Sequence, residues 1–212
     1  MTQTSVVLNA GGVAVIPTDT LYGIVCRAED PRAVERVYKI RKRAPNKPCI
    51  ILIADVSDLS KFGISTDALL CHPRPRSQSR AGSGDDPVRL DSKLWPGPVS
   101  IILPYHSSSD RTNYDMGYLH QGTNTLAFRL PANEQLRKLL RQTGPLIAPS
   151  ANPEGQPPAK NIEAARQYFG DSVDVYEDGG FLDNPPSTLI ELKNGKMIVL
   201  RQGEVMIQKK LL

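Results

Sequence analysis

No apolar stretch of the sequence approaches the roughly 18 residues that a membrane-spanning helix needs. The first residues, MTQTSVVLNAGG, have neither a basic start nor a long apolar core, so no signal peptide is predicted. Cysteine is scarce: Cys26, Cys49 and Cys71 are odd in number and fit no CxxC pair, which argues against a disulfide framework and against a zinc site. Reduced, mostly buried thiols and a cytoplasmic location are the expectation. The three histidines, His72, His106 and His120, lie scattered in polar stretches and pair nowhere at the helical spacing of metal ligands. There is no GxxxxGK[ST] and no GxGxxG after a strand, so a P-loop enzyme and a dinucleotide-binding dehydrogenase find no support. There is no G-x-S-x-G elbow for a nucleophilic hydrolase either. Internal repeats and coiled-coil heptads are absent. Seven tyrosines and four phenylalanines leave few rings for base stacking, because several lie in apolar runs.

What is present is ordinary in bulk. The 212 residues suggest one domain, 1–212, long enough for a proper core. Apolar residues make up 40% and charged residues 23%, as in soluble globular proteins. The net charge of +4 fits an anionic partner without separating ATP from RNA or from mere solubility.

Short apolar runs and turn residues set out the elements. VAVIP, residues 13–17, reads as a buried strand, followed by the loop PTDTLYG. DPRAVERVYKIRKR reads as a helix with Asp30 as N-cap and Pro31 in the first turn, where a missing N–H costs nothing. PCIILIA, residues 48–54, is a second strand, so strand, helix and strand point to an α/β or α+β architecture. Residues 72–93 are rich in Pro, Ser, Gly and Arg and read as an inserted loop, as do residues 105–123. LWPGPVSIILP ends in a strand, TLAFRLP is another, and ANEQLRKLLRQTG reads as a helix stopped at Gly144. PLIAPSANPEGQPP is a strand running into a loop, AKNIEAARQYFG a helix, and VDVYEDGG, STLIELKNG and KMIVLRQG further strands, the last two joined by an Asn194-Gly195 turn.

Polar side chains collect at the strand ends, where open sheets build ligand sites: Thr18, Asp19, Thr20, Arg41, Arg43, Lys47, Thr125, Arg129, Ser150, Asn152, Ser187, Thr188 and Arg201. Singly, each has a plain structural explanation. Ser150 and Asn152 could cap a turn. Arg129 could snorkel. Arg41 and Arg43 at a helix end would each gain about 0.3–1 kcal/mol from the helix dipole.

In combination the motifs resemble a family. PTDTLYG, RKRAPNKP, LWPGPVSIIL, TLAFRLP, APSAN, PPSTLIEL and VLRQG occur in the order found in the YrdC/TsaC family, the threonylcarbamoyl-AMP synthases, from about Val7 to about Gly203. The resemblance implies an α/β fold, a YrdC-like twisted mixed sheet with flanking helices around a basic cavity. It implies a nucleotidyltransferase that joins ATP, L-threonine and bicarbonate into threonylcarbamoyl-AMP and releases pyrophosphate. That product serves a downstream tRNA threonylcarbamoyl-transferase complex, with tRNA as a further partner and no membrane. No tightly bound cofactor is implied; Mg2+ would accompany ATP, and the sequence has no dedicated carboxylate cage for a metal.

Carried over by position, the resemblance makes Arg41 and Arg43 the catalytic basic pair, with Arg41 standing in place of a lysine. It assigns ATP to Arg43, Lys47, Thr125, Ser150, Asn152 and Arg201, and threonine to Thr20, Arg129, Ala148 and Ser187. Leu52 sits where many relatives have histidine, and Pro158 replaces a common serine. The end of the chain shortly after Arg201 matches the short single-domain form. The attacking carboxylate belongs to the substrate, so cations that position two repelling anions suffice without a protein nucleophile. Two alternatives stand beside the synthase: a non-catalytic RNA- or nucleotide-binding YrdC-like protein, and a carbamoyl transferase acting on another amine.

Overall fold

A computed structural model describes residues 1–64, 94–105, 116–193 and 196–207. The expected insertion at 72–93, most of the second loop, the Asn194-Gly195 turn, Cys71, His72 and His106 lie outside them. Strand β1 (Ala14–Pro17) turns directly into β2 (Tyr22–Arg27), pairing antiparallel from Ala14 opposite Val25 to Pro17 opposite Tyr22. The turn is therefore only four residues long, and the expected loop PTDTLYG ends two residues early. Tyr22, Ile24 and Cys26 face the core, and burying them is worth more than the turn propensity of the Tyr-Gly pair. Thr18 closes the turn: its hydroxyl donates to the Leu21 carbonyl at 2.6 Å and accepts from the amides of Thr20 and Leu21.

Helix α1 (Gln3–Asn9) precedes β1 and was not foreseen in the sequence. Helix α2 (Pro31–Arg41) begins as expected, with the Asp30 carboxylate accepting from the amides of Arg32 and Ala33 at 3.0 and 3.1 Å. It ends at Lys42, whose φ of 52° puts it in the left-handed region and turns RKRAPNKP back toward the sheet. Strand β3 (Ile50–Leu52) follows, then a 3-10 turn over Val56–Phe62, β4 (Val99–Pro104), helix α3 (Gly117–His120) and β5 (Thr125–Arg129). Helix α4 (Glu134–Thr143) is capped by Asn133, and β6 (Leu146–Ile147) comes after it. Helix α5 (Ile162–Phe169) is capped by Asn161, and β7 (Val175–Tyr176), β8 (Thr188–Lys193) and β9 (Lys196–Arg201) complete the chain. None of these helices is long and apolar enough to cross a membrane.

Among the described residues the nine strands form one mixed sheet in the order β7-β1-β2-β6-β3-β5-β4-β8-β9. The pairs β1–β7, β3–β5 and β4–β8 are parallel and the remainder antiparallel. Alternation along the strands splits the sheet into two faces. On one, Ile24, Ile51, Ile101, Phe128 and Ile190 pack against Val34 and Val37 of α2, Phe62, and Ala165 and Phe169 of α5. On the other, Ile16, Val25, Leu52 and Leu146 pack under Leu8 of α1 and Leu136 and Leu140 of α4. Those two helices contribute to the core only over β1, β2, β3 and β6. Over β4, β5 and β8 the same face is left for a cavity.

Candidate functional site

Strand β5 shows the division within five residues. Leu126 and Phe128 point into the core, while Thr125, Ala127 and Arg129 line a cavity of about 880 Å3. Arg129 is buried to 4% exposure, and its guanidinium meets the Asp19 carboxylate at 3.0 Å and donates to the Thr20 hydroxyl at 3.1 Å. Its Nε has no hydrogen-bond partner among the described residues. Burial pulls the Arg129 pKa down, the Asp19 charge opposes this, and Arg201 adds to the lowering. Burial likewise pushes the Asp19 carboxyl up, against the pull of Arg129. The short β1–β2 turn is what brings Asp19 and Thr20 to this arginine.

Arg41, the last residue of α2, points inward. It is 3% exposed, donates from Nε to the Asn152 carbonyl at 2.8 Å, and donates from Nη2 to Asn152 Oδ1 at 3.3 Å and, more distantly, to Ser150 Oγ at 3.5 Å. Its Nη1 has no hydrogen-bond partner, and no carboxylate forms an ion pair with it among the described residues. Burial, followed by the nearby charge of Arg43, pulls its pKa down to about 10. A buried guanidinium is not left uncompensated cheaply, so this wall of the cavity is suited to an anion.

Arg43 bonds the loop that follows it: Nε donates to the Lys47 carbonyl and Nη2 to the Pro48 carbonyl, both at 2.9 Å. Lys47 pairs with Glu154, whose other oxygen accepts from the Ala44 amide at 2.6 Å. Across the cavity, Ser187 shares a 2.8 Å hydrogen bond with buried Ser100 and accepts from Arg201 at its hydroxyl (3.2 Å) and carbonyl (2.9 Å). Gly203 fits behind Ser187, where a Cβ would fall 2.0 Å from the Pro186 carbonyl oxygen.

Of the residues singled out in the sequence, Thr20, Arg41, Arg43, Lys47, Thr125, Arg129, Ala148, Ser150, Ser187 and Arg201 all border this one cavity. Asn152 does not. It lies behind Arg41, with Nδ2 donating to the carbonyls of Pro153 and Gln156 at 2.9 and 2.7 Å. Thr188 is also off the wall, bonding Val205 and Gly203. Leu52 is core under α1 and α4, whereas Pro158 is on the wall.

Sequence reading missed Lys160, which precedes α5, and Asp183 and Asn184, from the loop between β7 and β8. Lys160 and Asp183 pair at 2.6 Å, and nothing in their local sequence marks them. Among the described residues the cavity is thus bordered by Arg41, Arg43, Lys47, Arg129, Lys160 and Arg201 against the single carboxylate of Asp183, a positive surplus that favours a polyanion. Among the described residues no group of His, Cys, Asp and Glu could hold a metal ion. Cys26 and Cys49 are free, buried thiols, with pKa values that burial pushes up.

Comparison with known proteins accords with this geometry. The Sua5/YciO/YrdC family model, described as telomere recombination, matches residues 6–203. The threonylcarbamoyl-AMP synthase of Idiomarina loihiensis is 32% identical over 186 residues, covering 86% of this chain and 89% of that protein. Among solved structures, Pyrococcus abyssi Sua5 complexed with L-threonine superposes with a TM-score of 0.73 at 27% identity, over 94% of this chain and 53% of that one. Escherichia coli YciO shares the fold, with a TM-score of 0.71 at 24% identity over 95% of this chain and 87% of its own.

Proposed function

The chain belongs to the Sua5/YciO/YrdC family, and from that premise we propose that it is a threonylcarbamoyl-AMP synthase, a nucleotidyltransferase that uses ATP, L-threonine and bicarbonate. The observation that carries this reading is the buried Arg41 guanidinium on the cavity wall, whose Nη1 has no hydrogen-bond partner and which pairs with no carboxylate among the described residues.

The chemistry asks little else of the protein. Bicarbonate and the threonine amine lose water to give an N-carboxylate. One oxygen of that carboxylate attacks the α-phosphorus of ATP, the bond from that phosphorus to the β-bridging oxygen breaks, and pyrophosphate leaves with the electron pair. Arg41 and Arg43 stabilise the charge that builds on the phosphates, with Lys47 and Arg201 holding the outer anions. Asn152 serves the nucleotide by fixing Arg41. Thr20, Arg129 and Ser187 take the amino acid: the guanidinium of Arg129, held from behind by Asp19, suits a carboxylate, and the two hydroxyls suit a side-chain oxygen and an ammonium. Holding both substrates in one cavity supplies the approach that two repelling anions lack in water. Mg2+ arrives with the triphosphate as part of the substrate. The product passes to a transferase complex that modifies tRNA.

The test is pyrophosphate release from ATP and bicarbonate, with and without L-threonine and with serine as a control. Release that depends on both threonine and bicarbonate is expected. Absence of release together with absence of ATP binding overturns the reading.

A further inference from the structure

Three parts of the 41–47 segment converge on residue Glu154. Its amide donates to the Arg41 carbonyl at 2.8 Å, one carboxylate oxygen accepts from the Ala44 amide at 2.6 Å, and the other pairs with the Lys47 ammonium. The two partners are unequal. The Glu154 side chain is 28% exposed, its carboxylate held by the Ala44 amide and its own amide by the Arg41 carbonyl, whereas the Lys47 side chain is 56% exposed and among the described residues has only this one ion pair. Lys47 borders the cavity beside Arg41 and Arg43; Glu154 does not. The Lys47 backbone is itself fixed, because its carbonyl accepts from Arg43 and from the Tyr38 hydroxyl, each at 2.9 Å. The long aliphatic stem can therefore swing its ammonium between the carboxylate outside and an anion inside without moving the loop.

We propose that Glu154 is a built-in competitor for the phosphate-binding Lys47: its carboxylate gives up the ammonium when the triphosphate enters and takes it back as pyrophosphate leaves. This deepens the nucleotide reading and rests on it. Among the described residues, six cations and one carboxylate border the cavity, a surplus that attracts pyrophosphate as it attracts the triphosphate, and product must leave for turnover. A partly exposed ion pair is weak enough to exchange. A phosphate bearing more than one charge can displace the carboxylate, and the carboxylate can recover the ammonium once the outer phosphates are released. When Lys47 departs, Glu154 keeps its hydrogen bond from Ala44 and its access to water, so no charge is left buried and unpaired.

The test uses Glu154→Gln, which keeps an oxygen for the Ala44 amide and removes the charge. Binding of inorganic pyrophosphate and of AMP is measured separately by calorimetry, on variants whose melting curves confirm folding. Pyrophosphate is expected to bind about threefold to fivefold more tightly to the variant, the exchange value of an ion pair of that strength. AMP, which has no outer phosphates, is expected to bind equally to both. In a Lys47→Met background the gain from Glu154→Gln should vanish. Equal pyrophosphate affinity in the variant and the wild type overturns the proposal. So does a gain of the same size for AMP, or one that persists without Lys47. If the wild type binds neither ATP nor pyrophosphate, the nucleotide reading itself falls and the proposal with it.

Discussion

Asn152→Ala separates a residue that touches substrate from one that holds a residue touching substrate. The side chain is 6% exposed and makes three hydrogen bonds: Oδ1 accepts from Arg41 Nη2 at 3.3 Å, and Nδ2 donates to the carbonyls of Pro153 and Gln156. Alanine removes all three but keeps the main-chain carbonyl that accepts from Arg41 Nε at 2.8 Å. Two of the lost bonds are between neutral groups, and Pro153 and Gln156 are near enough to the surface for their carbonyls to take up water. The third bond is long. The loss of stability should be about 2 kcal/mol, which a domain with about 5–15 kcal/mol survives. The melting temperature should fall by about 4–8 °C. Arg41 keeps the main-chain bond and a long 3.5 Å bond to Ser150 Oγ, too little to fix its fork, and misplacement by about 1 Å costs catalysis roughly a hundredfold.

The assay is threonine-dependent pyrophosphate release, run on the wild type, Asn152→Ala, Arg41→Ala and the double variant. If Asn152 acts through Arg41, the double variant should be no slower than Arg41→Ala beyond about twofold, because the interaction is already gone. Fully additive losses would refute the positioning argument and make Asn152 an independent contact. A folded Asn152→Ala with the wild-type rate would remove Asn152 from the chemistry, and a folded Arg41→Ala with the wild-type rate would remove Arg41.

Asp19→Asn should raise the KM for L-threonine about tenfold by unfixing Arg129, and it should also cost stability at neutral pH, because the buried guanidinium loses its carboxylate. Burial raises the folded pKa of Asp19 above 3.8, so the folded state binds more protons than the unfolded state just above that pH, and wild-type stability falls as pH rises through that window. The difference in urea-unfolding stability between wild type and variant should carry that slope from pH 3 to 7, apart from the opposite slope that Glu134, Glu154 and Asp174 give to both, since their partners lower their pKa values. Gly203→Ala forces a Cβ against the Pro186 carbonyl and the Ser187 backbone, with contacts of 2.0 and 2.6 Å that only a main-chain shift relieves. It should cost about 1–3 kcal/mol by urea unfolding and weaken activity by displacing Arg201 and Ser187. Phe128→Ala removes a ring packed edge-on against Phe62 at 5.2 Å, and calorimetry should show a loss of about 3–5 kcal/mol.

Some elements were legible because one local rule sufficed. Helix α2 carries its own start in Asp30 and Pro31, and β3, β4 and β5 are apolar runs bounded by proline or turn residues. Strand β2 was hidden because Tyr22-Gly23 reads as a turn, yet Gly23 has a structural use: a Cβ there would meet the Thr18 methyl at 3.2 Å. Helix α1 was hidden because it is short and half exposed, with Val6 54% exposed among polar neighbours, and it gains its stability from packing on α4 and the sheet.

The site divides along the same line. The order of PTDTLYG, RKRAPNKP, TLAFRLP, APSAN, PPSTLIEL and VLRQG was enough to gather ten wall residues before any fold was known, although each arginine taken singly could have been surface decoration. Motif order, through the family resemblance, pointed to an anionic ligand that composition alone left open, because charge of one sign at successive strand ends can serve an anion wherever the sheet brings those ends together. The tertiary structure decided what each cation does. Arg41 is buried and half-satisfied, Arg43 ties down its own loop, Arg129 leans on Asp19, and Lys47 is held outside by Glu154, residues 107 positions apart. Those differences come from burial and from partners far away in the chain, and a local pattern of residue types encodes neither.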